Sequence, residues 1–189
     1  MRLVLATANP DKVAEIAALL TRVQLAPRPP ALPEVDESGQ TLEENARLKA
    51  RAVVEATGAA AVADDTGLEV AALGGAPGVR SARYAGEDAS YADNVAKLIG
   101  ALEGVTDRRA RFRTVALACF PDGREVVAEG AVEGVITDEP RGDGGFGYDP
   151  VFLPEGGEGR TFAEMTPEQK NSLSHRARAF TRLAELLAS

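Results

Sequence analysis

Five segments of this sequence gather residue types that handle phosphate, cations and flat rings. Thr7-Ala8-Asn9-Pro10-Asp11-Lys12 follows the apolar run Leu3 to Ala6. Asn9 is a helix N-cap, Pro10 suits the first helical position, and Asp11 favours the positive end of the helix. A strand feeding such a helix directs backbone N–H groups at one point, a geometry that takes an anion, and Lys12 adds a point charge suited to phosphate. A plain capped helix with a solvated lysine fits the same residues, so the segment alone leaves both readings open. Asp64-Asp65-Thr66-Gly67 follows the small apolar strand Ala59 to Ala63. It is therefore expected at the carboxyl end of that strand, where α/β sheets bind ligands. Neighbouring carboxylates repel, which asks for a cation or a raised pKa on one of them; an Asx turn is the alternative.

Glu37 sits in the acidic turn Glu34 to Gly39 and gains interest only if the fold brings it beside Asp65. A hard cation such as Mg²⁺ takes one or two carboxylates together with substrate phosphate oxygens. Gly142 to Gly147 formally satisfies G-x-G-x-x-G, but Tyr148-Asp149-Pro150 leads into Val151-Phe152-Leu153 rather than a helix. A dinucleotide site is rejected on that ground. What remains is Phe146 between glycines, on a backbone that can lay its ring against a flat ligand or tuck it into the core. In Lys170-Asn171-Ser172-Leu173-Ser174-His175-Arg176, an unbroken helix would spread Lys170, His175 and Arg176 around its axis. They converge only if the helix breaks, with Ser172 or Ser174 capping a second helix.

The rest of the composition narrows the chemistry. A single cysteine, Cys119, cannot make an internal disulfide or a thiolate metal site, and a single histidine, His175, excludes multi-imidazole zinc sites. Carboxylates, hydroxyls, lysines and arginines must do the work. A net charge of −8 lacks the electrostatic footprint of a nucleic-acid binder. No stretch approaches the roughly 20 apolar residues of a membrane span, and Met1 to Ala6 meets Thr7-Ala8-Asn9-Pro10 too soon for a signal peptide. A soluble, cytoplasmic protein is expected.

These residues need elements to position them. A helix follows Asn9, with Val13, Ile16, Ala17, Leu19 and Leu20 as its apolar stripe. A second starts at the capping box Thr41-Leu42-Glu43-Glu44 and stops at Gly58. Ser90 and Asp93 open a third through about Leu102, after a Gly-rich ordered loop from Leu73 to Gly86. Phe112–Phe120 and Glu125–Ile136 read as long strands around Pro121-Asp122-Gly123-Arg124, the first apolar on both faces. Thr166-Pro167-Glu168-Gln169 starts the closing helix. Alternating strands and helices with a central hairpin make an α/β fold with a mixed sheet.

Taken in order, Thr7 to Lys12, Leu42 to Ala46, Ala63 to Leu68, Gly74 to Gly78, Ser81 to Tyr84, Gly144 to Pro150 and Ser174 to Arg176 resemble the inosine/xanthosine triphosphate pyrophosphatase (Ham1-like) family across nearly the whole chain. The resemblance implies an elongated mixed sheet flanked by helices, one domain over residues 1–189 with two lobes and a central cleft, usually in a homodimer. It also implies Mg²⁺-dependent cleavage of a purine nucleoside triphosphate such as ITP, dITP or XTP to monophosphate and pyrophosphate, cleansing the nucleotide pool.

By the same resemblance, Thr7, Ala8, Asn9, Pro10, Asp11 and Lys12 cradle the triphosphate. Glu37 and Asp65 hold the metal, Asp65 accepts the proton, and Thr66 contacts substrate. Phe146, Gly147, Tyr148 and Asp149 take the base, while Lys170, His175 and Arg176 contact phosphate and base. Asn45 and Lys49 assist metal and phosphate. Thr66 stands where serine is frequent and Ala8 where glycine is common; neither removes a needed group. Of four lysines, Lys12, Lys49 and Lys170 fall at phosphate positions, leaving Lys97. Three other readings stay open: a Maf-type pyrophosphatase of different base preference, a haloacid-dehalogenase-like phosphatase (though its Asp-x-Asp spacing is missing), and a nucleotide-binding module without turnover.

Overall fold

The computed structural model describes residues 1–188. The chain divides into two compact units, and β3, β5 and β6 below contribute residues to both. The first comprises Met1–Asp65, Thr114–Gly130 and the chain from His175 onward.

In the first unit, β1 (Arg2–Leu5) feeds α1 (Pro10–Leu19), which returns to β2 (Gln24–Ala26). The cap works as its residues dictate: the Asn9 side chain accepts from the Asp11 and Lys12 amides, and Pro10 opens the helix. α2 (Leu42–Thr57) carries both halves of its capping box, Thr41 and Glu44, and ends at Gly58 with φ 65°. Only glycine adopts that left-handed conformation at no steric cost. β3 (Ala61–Val70) then pairs in parallel with β1, in the register Val4↔Ala61 and Leu5↔Val62. The core of this unit packs Leu3, Leu5, Ile16, Leu20, Val62 and Phe120 against Phe180 and Leu183 of α5 (His175–Ala188).

The second unit holds Thr66–Arg113 and Ala131–Ser174. Here the end of β3 pairs antiparallel with β4 (Pro77–Gly78), and α3 (Tyr91–Ala101) starts from the Ser90–Asp93 capping box. β5 (Arg109–Cys119) and β6 (Glu125–Ile136) are the expected hairpin, and β6 pairs with β7 (Phe152–Pro154) before α4 (Pro167–Asn171). The separate core of this unit centres on Phe112 and Phe152, edge to face at 4.7 Å, with Phe162 beside them. The sheet order is β2-β1-β3-β5-β6-β7 with β4 beside β3, a mixed seven-stranded sheet.

Two expectations change. The strand carrying the acidic pair does not end at Ala63 but runs on to Val70, so Asp64 and Asp65 lie mid-strand and no Asx turn forms. β1 leaves the sheet after Leu5, opposite Val62, so the pair lies just past the carboxyl end of β1 rather than of β3. β2, β4 and β7 went unread because two or three residues carry no period. The helix break does occur, since α4 ends at Asn171 and α5 begins at His175. It coincides with the boundary between the units. β5 is buried on both faces only over Thr114–Cys119; Arg109 and Arg111 are exposed. α5 passes so close to β6 that a Cβ on Gly130 would strike the His175 carbonyl and the Ala179 amide. A glycine at that position leaves room for the first turn of α5.

Candidate active site

Strand geometry resolves the apparent conflict between Asp64 and Asp65, because consecutive side chains on a strand point to opposite faces. Asp64 meets α1 and α5. Its Oδ2 lies 3.2 Å from Lys12 Nζ and accepts from Arg176 Nη2 at 3.1 Å and Nε at 3.3 Å. Arg176 also donates through Nη1 to Glu15 Oε2 at 2.5 Å. Asp65 meets α2 instead. Lys49 Nζ donates to its Oδ1 at 3.0 Å and Asn45 Nδ2 to its Oδ2 at 3.2 Å. Lys49 Nζ is also 3.1 Å from Glu37 Oε1, so one ammonium joins the two carboxylates expected to hold metal. The acidic turn is tied to the same helix by the Gly39 amide, which donates to Asn45 Oδ1 at 2.8 Å. Asn45 and Lys49 are four apart on α2, hence on one face.

The two aspartates differ in charge state. Burial works against the Asp64 carboxylate, but Lys12, Arg176 and Lys49 outweigh it and hold its pKa well below the usual carboxylate range. For Asp65, burial wins: its pKa is raised, reinforced by Glu37 and opposed by Lys49 and Lys12. The raised member is thus the one facing Glu37. Burial lowers the Lys12 pKa more than Asp64 restores it, with Lys49 and Arg176 adding repulsion. Burial also opposes the Lys49 charge, yet Asp65, Glu37 and Asp64 reverse the balance and its pKa rises.

The expected anion cradle is partly spent on itself. The Asn9 side chain takes the Asp11 and Lys12 amides at 2.9 and 3.3 Å, and Thr7 Oγ1 accepts from the Asn9 amide at 3.1 Å. The ammonium of Lys12 is therefore the main cationic contribution of this segment. His175 is buried beside a buried hydroxyl, its Nδ1 2.6 Å from Thr114 Oγ1.

In the second unit, Asp149 organises the aromatic segment. Its Oδ2 accepts from the Phe146 amide at 2.8 Å and from Lys170 Nζ at 2.5 Å. Gly145 has φ 67°, and a Cβ there would collide with the Asp149 carboxylate. Phe146 is half-buried, with Lys170 Nζ over its ring at 4.7 Å. Tyr148 lies in the core, its hydroxyl donating to the Ser81 carbonyl at 2.9 Å, and burial pushes its pKa up. Phe146 is thus the accessible ring of this segment. Gly147, like Gly145, has positive φ, and Thr66 on β3 is half-buried next to Asp65.

The structure brings Lys12, Glu37, Asn45, Lys49, Asp65, His175 and Arg176 into the first unit, and Phe146, Asp149 and Lys170 into the second. Glu15 and Thr114 escaped the sequence reading. Glu15 stands three residues after Lys12, on the same helix face, and Thr114 is the polar residue at the head of an apolar run; those were their signals.

Fold and site define a class: α/β proteins whose mixed sheet presents acidic side chains clasped by lysine and arginine. The model of the Ham1 family matches residues 3–186. A dITP/XTP pyrophosphatase of Desulforamulus reducens is 51% identical over 194 residues, covering 99% of this chain and 96% of that protein. A dITP/XTP pyrophosphatase of Geobacillus kaustophilus is 48% identical over 190 residues, covering 97% and 92%. A solved HAM1 protein from Coxiella burnetii has a TM-score of 0.91 at 40% identity, covering 100% of this chain and 98% of that one. The chain belongs to the Ham1 family.

Proposed function

We propose that this protein hydrolyses non-standard purine nucleoside triphosphates (ITP, dITP and XTP) to the nucleoside monophosphate and pyrophosphate, clearing deaminated purines from the nucleotide pool. Relatives about half identical over nearly the whole chain bear the name dITP/XTP pyrophosphatase. The observation that carries the reading is the convergence of Glu37 and Asp65 on one lysine beside Lys12 and its partner Asp64.

The donor set fits Mg²⁺. Glu37 and Asp65 offer hard carboxylate oxygens, each already within about 3 Å of a positive charge on Lys49. No group of three or more His, Cys, Asp or Glu side chains suited to a metal occurs among the described residues. Two carboxylates with substrate phosphates completing the shell is the manner of Mg²⁺ rather than of an all-protein cage. When bound there, Mg²⁺ neutralises charge on the triphosphate and its leaving pyrophosphate.

The residues of the chain divide the remaining work. Asp65 takes a proton from an attacking water, whose oxygen bonds to the α-phosphorus as the α–β bridging bond breaks and pyrophosphate leaves. The upward shift of Asp65 suits a base, since it makes the carboxylate more basic. Asn45 holds its second oxygen. In the first unit Lys12 and Lys49 meet phosphate charge, with Thr7 to Asp11 lining substrate; in the second, Lys170 meets phosphate charge and Thr66 contacts substrate. Arg176, engaged with Asp64 and Glu15, holds Asp64 beside Lys12.

The base lies against Phe146 within the Phe146–Asp149 segment. His175, Arg176 and backbone N–H groups donate to the 6-oxo group of hypoxanthine or xanthine and oppose the 6-amino group of adenine. One unpaired buried donor costs about 1–3 kcal/mol, roughly 5- to 150-fold in discrimination.

A homodimer acting in the cytoplasm belongs to the same reading, supported by the family resemblance. Turnover of ITP, XTP, ATP and GTP, with and without Mg²⁺, tests the proposal. Mg²⁺-dependent pyrophosphate from ITP and XTP, with little from ATP, is expected. Orthophosphate as the product, equal use of ATP, or binding without turnover overturns it.

A further inference from the structure

We infer that Tyr91 is a specificity-determining residue, supplying a second aromatic surface for the purine beside Phe146; this rests on the reading of the chain as a purine triphosphate hydrolase. The chain has six phenylalanines, three tyrosines and no tryptophan. All of these rings are buried except those of Tyr84, Phe146 and Tyr91, and Tyr91 is the most open at 44% exposure. The ring centroids of Tyr91 and Phe146 are 6.0 Å apart, with the planes tilted by 41°.

The pair is mounted on one hydrogen-bonded frame inside the second unit. Tyr91 is the first residue of α3, fixed by the reciprocal Ser90–Asp93 cap. Three residues on, Asn94 accepts from the Ala85 amide at 2.7 Å and donates to the Ala82 carbonyl at 3.0 Å. Beside that loop, the Ser81 carbonyl takes the Tyr148 hydroxyl, two residues past Phe146. From the other end, Asp149 holds the Phe146 amide. The spacing of the two rings is thus set by polar contacts on both sides.

Ligand chemistry follows from size and charge. A purine is two fused rings and overhangs a single phenyl group, and part of the Phe146 ring already faces the Lys170 ammonium. A second aromatic plate extends the stacking area where the first is committed. Stacking depends on the flat π-face and tolerates different bases, so Tyr91 selects a base-bearing ligand over a bare polyphosphate.

The test uses full-length protein. Tyr91→Ala is expected to raise KM for ITP about fivefold or more, with kcat within about twofold of wild type, as for loss of one stacking partner. Inhibition by inorganic tripolyphosphate stays unchanged, and Tyr91→Phe restores KM. In Tyr91→Trp, the introduced residue is the only tryptophan, and its emission changes on adding IMP but not tripolyphosphate. A wild-type KM in Tyr91→Ala overturns the inference, as does an emission unmoved by IMP. A wild-type enzyme that turns over no purine triphosphate overturns the underlying reading instead.

Discussion

Asn45 reaches Asp65 through its amide nitrogen at 3.2 Å while its carbonyl oxygen takes the Gly39 amide at 2.8 Å. The second bond fixes which end of the amide faces Asp65, so Asp65 Oδ2 always sees a donor. Both side chains are buried, Asn45 completely. Asn45→Ala is expected to lower kcat for ITP about 10- to 100-fold, the loss of one hydrogen bond to a charged group. Asn45→Asp, which faces Asp65 with a carboxylate, should be slower still. Steady-state kinetics beside a thermal melt separates this from unfolding; an unimpaired Asn45→Asp enzyme refutes the positioning role.

Asp65→Asn keeps the shape of the side chain but removes the proton acceptor, and it turns one of the two oxygens that meet Lys49 and Asn45 into a donor. A positioned general base contributes typically 10²- to 10⁴-fold, so kcat should drop by at least about 100-fold. The fold should persist, because burial already disfavours the charged form of Asp65. Circular dichroism and pyrophosphate release check the two halves; near-normal turnover removes Asp65 from the chemistry.

Asp64 carries stability rather than proton transfer. Its pKa is depressed in the folded protein because Lys12 and Arg176 outweigh burial. A depressed acid contributes stability above its unfolded pKa, near 4, and loses it as pH falls through the folded value. Urea midpoints of the wild type should therefore decline below about pH 4. Asp64→Asn should cost about 3–5 kcal/mol at pH 7, since it leaves Arg176 buried against Glu15 alone. That deficit should shrink on acidification. A deficit independent of pH would show that the Asp64 charge is not what the pairing uses.

The contrast between these aspartates also marks what the sequence could reveal. The helix that carries Asn45 and Lys49 was legible from the capping box at Thr41, whereas the two side chains themselves were pointed to only by the family resemblance. The helix break before His175 was legible because an unbroken helix would spread Lys170, His175 and Arg176 around its axis. The course of β3 was not. Asp-Asp-Thr-Gly is turn chemistry locally, and only partners remote in sequence make a charged pair tolerable mid-strand. Arg176 is 112 residues from Asp64, and no local pattern announces it. Likewise Tyr148 looked like a ligand contact beside Phe146, and only the distant Ser81 carbonyl assigns its hydroxyl to the core.

Lys49 has two roles to separate, because its ammonium lies where a divalent cation would also be drawn. Its Nζ is 3.0 Å from Asp65 and 3.1 Å from Glu37. Replacing it by methionine retains most of the buried stem and leaves the two carboxylates facing each other without a cation. Their repulsion then favours any divalent ion that joins them, so the Mg²⁺ concentration for half-maximal rate should fall. Charge stabilisation at the phosphates is lost at the same time, and kcat should drop about 100-fold or more. Titrating Mg²⁺ at saturating ITP reads both effects. A Lys49→Met enzyme needing more Mg²⁺ than wild type would mean that the lysine aligns the carboxylates for the metal rather than competing with it.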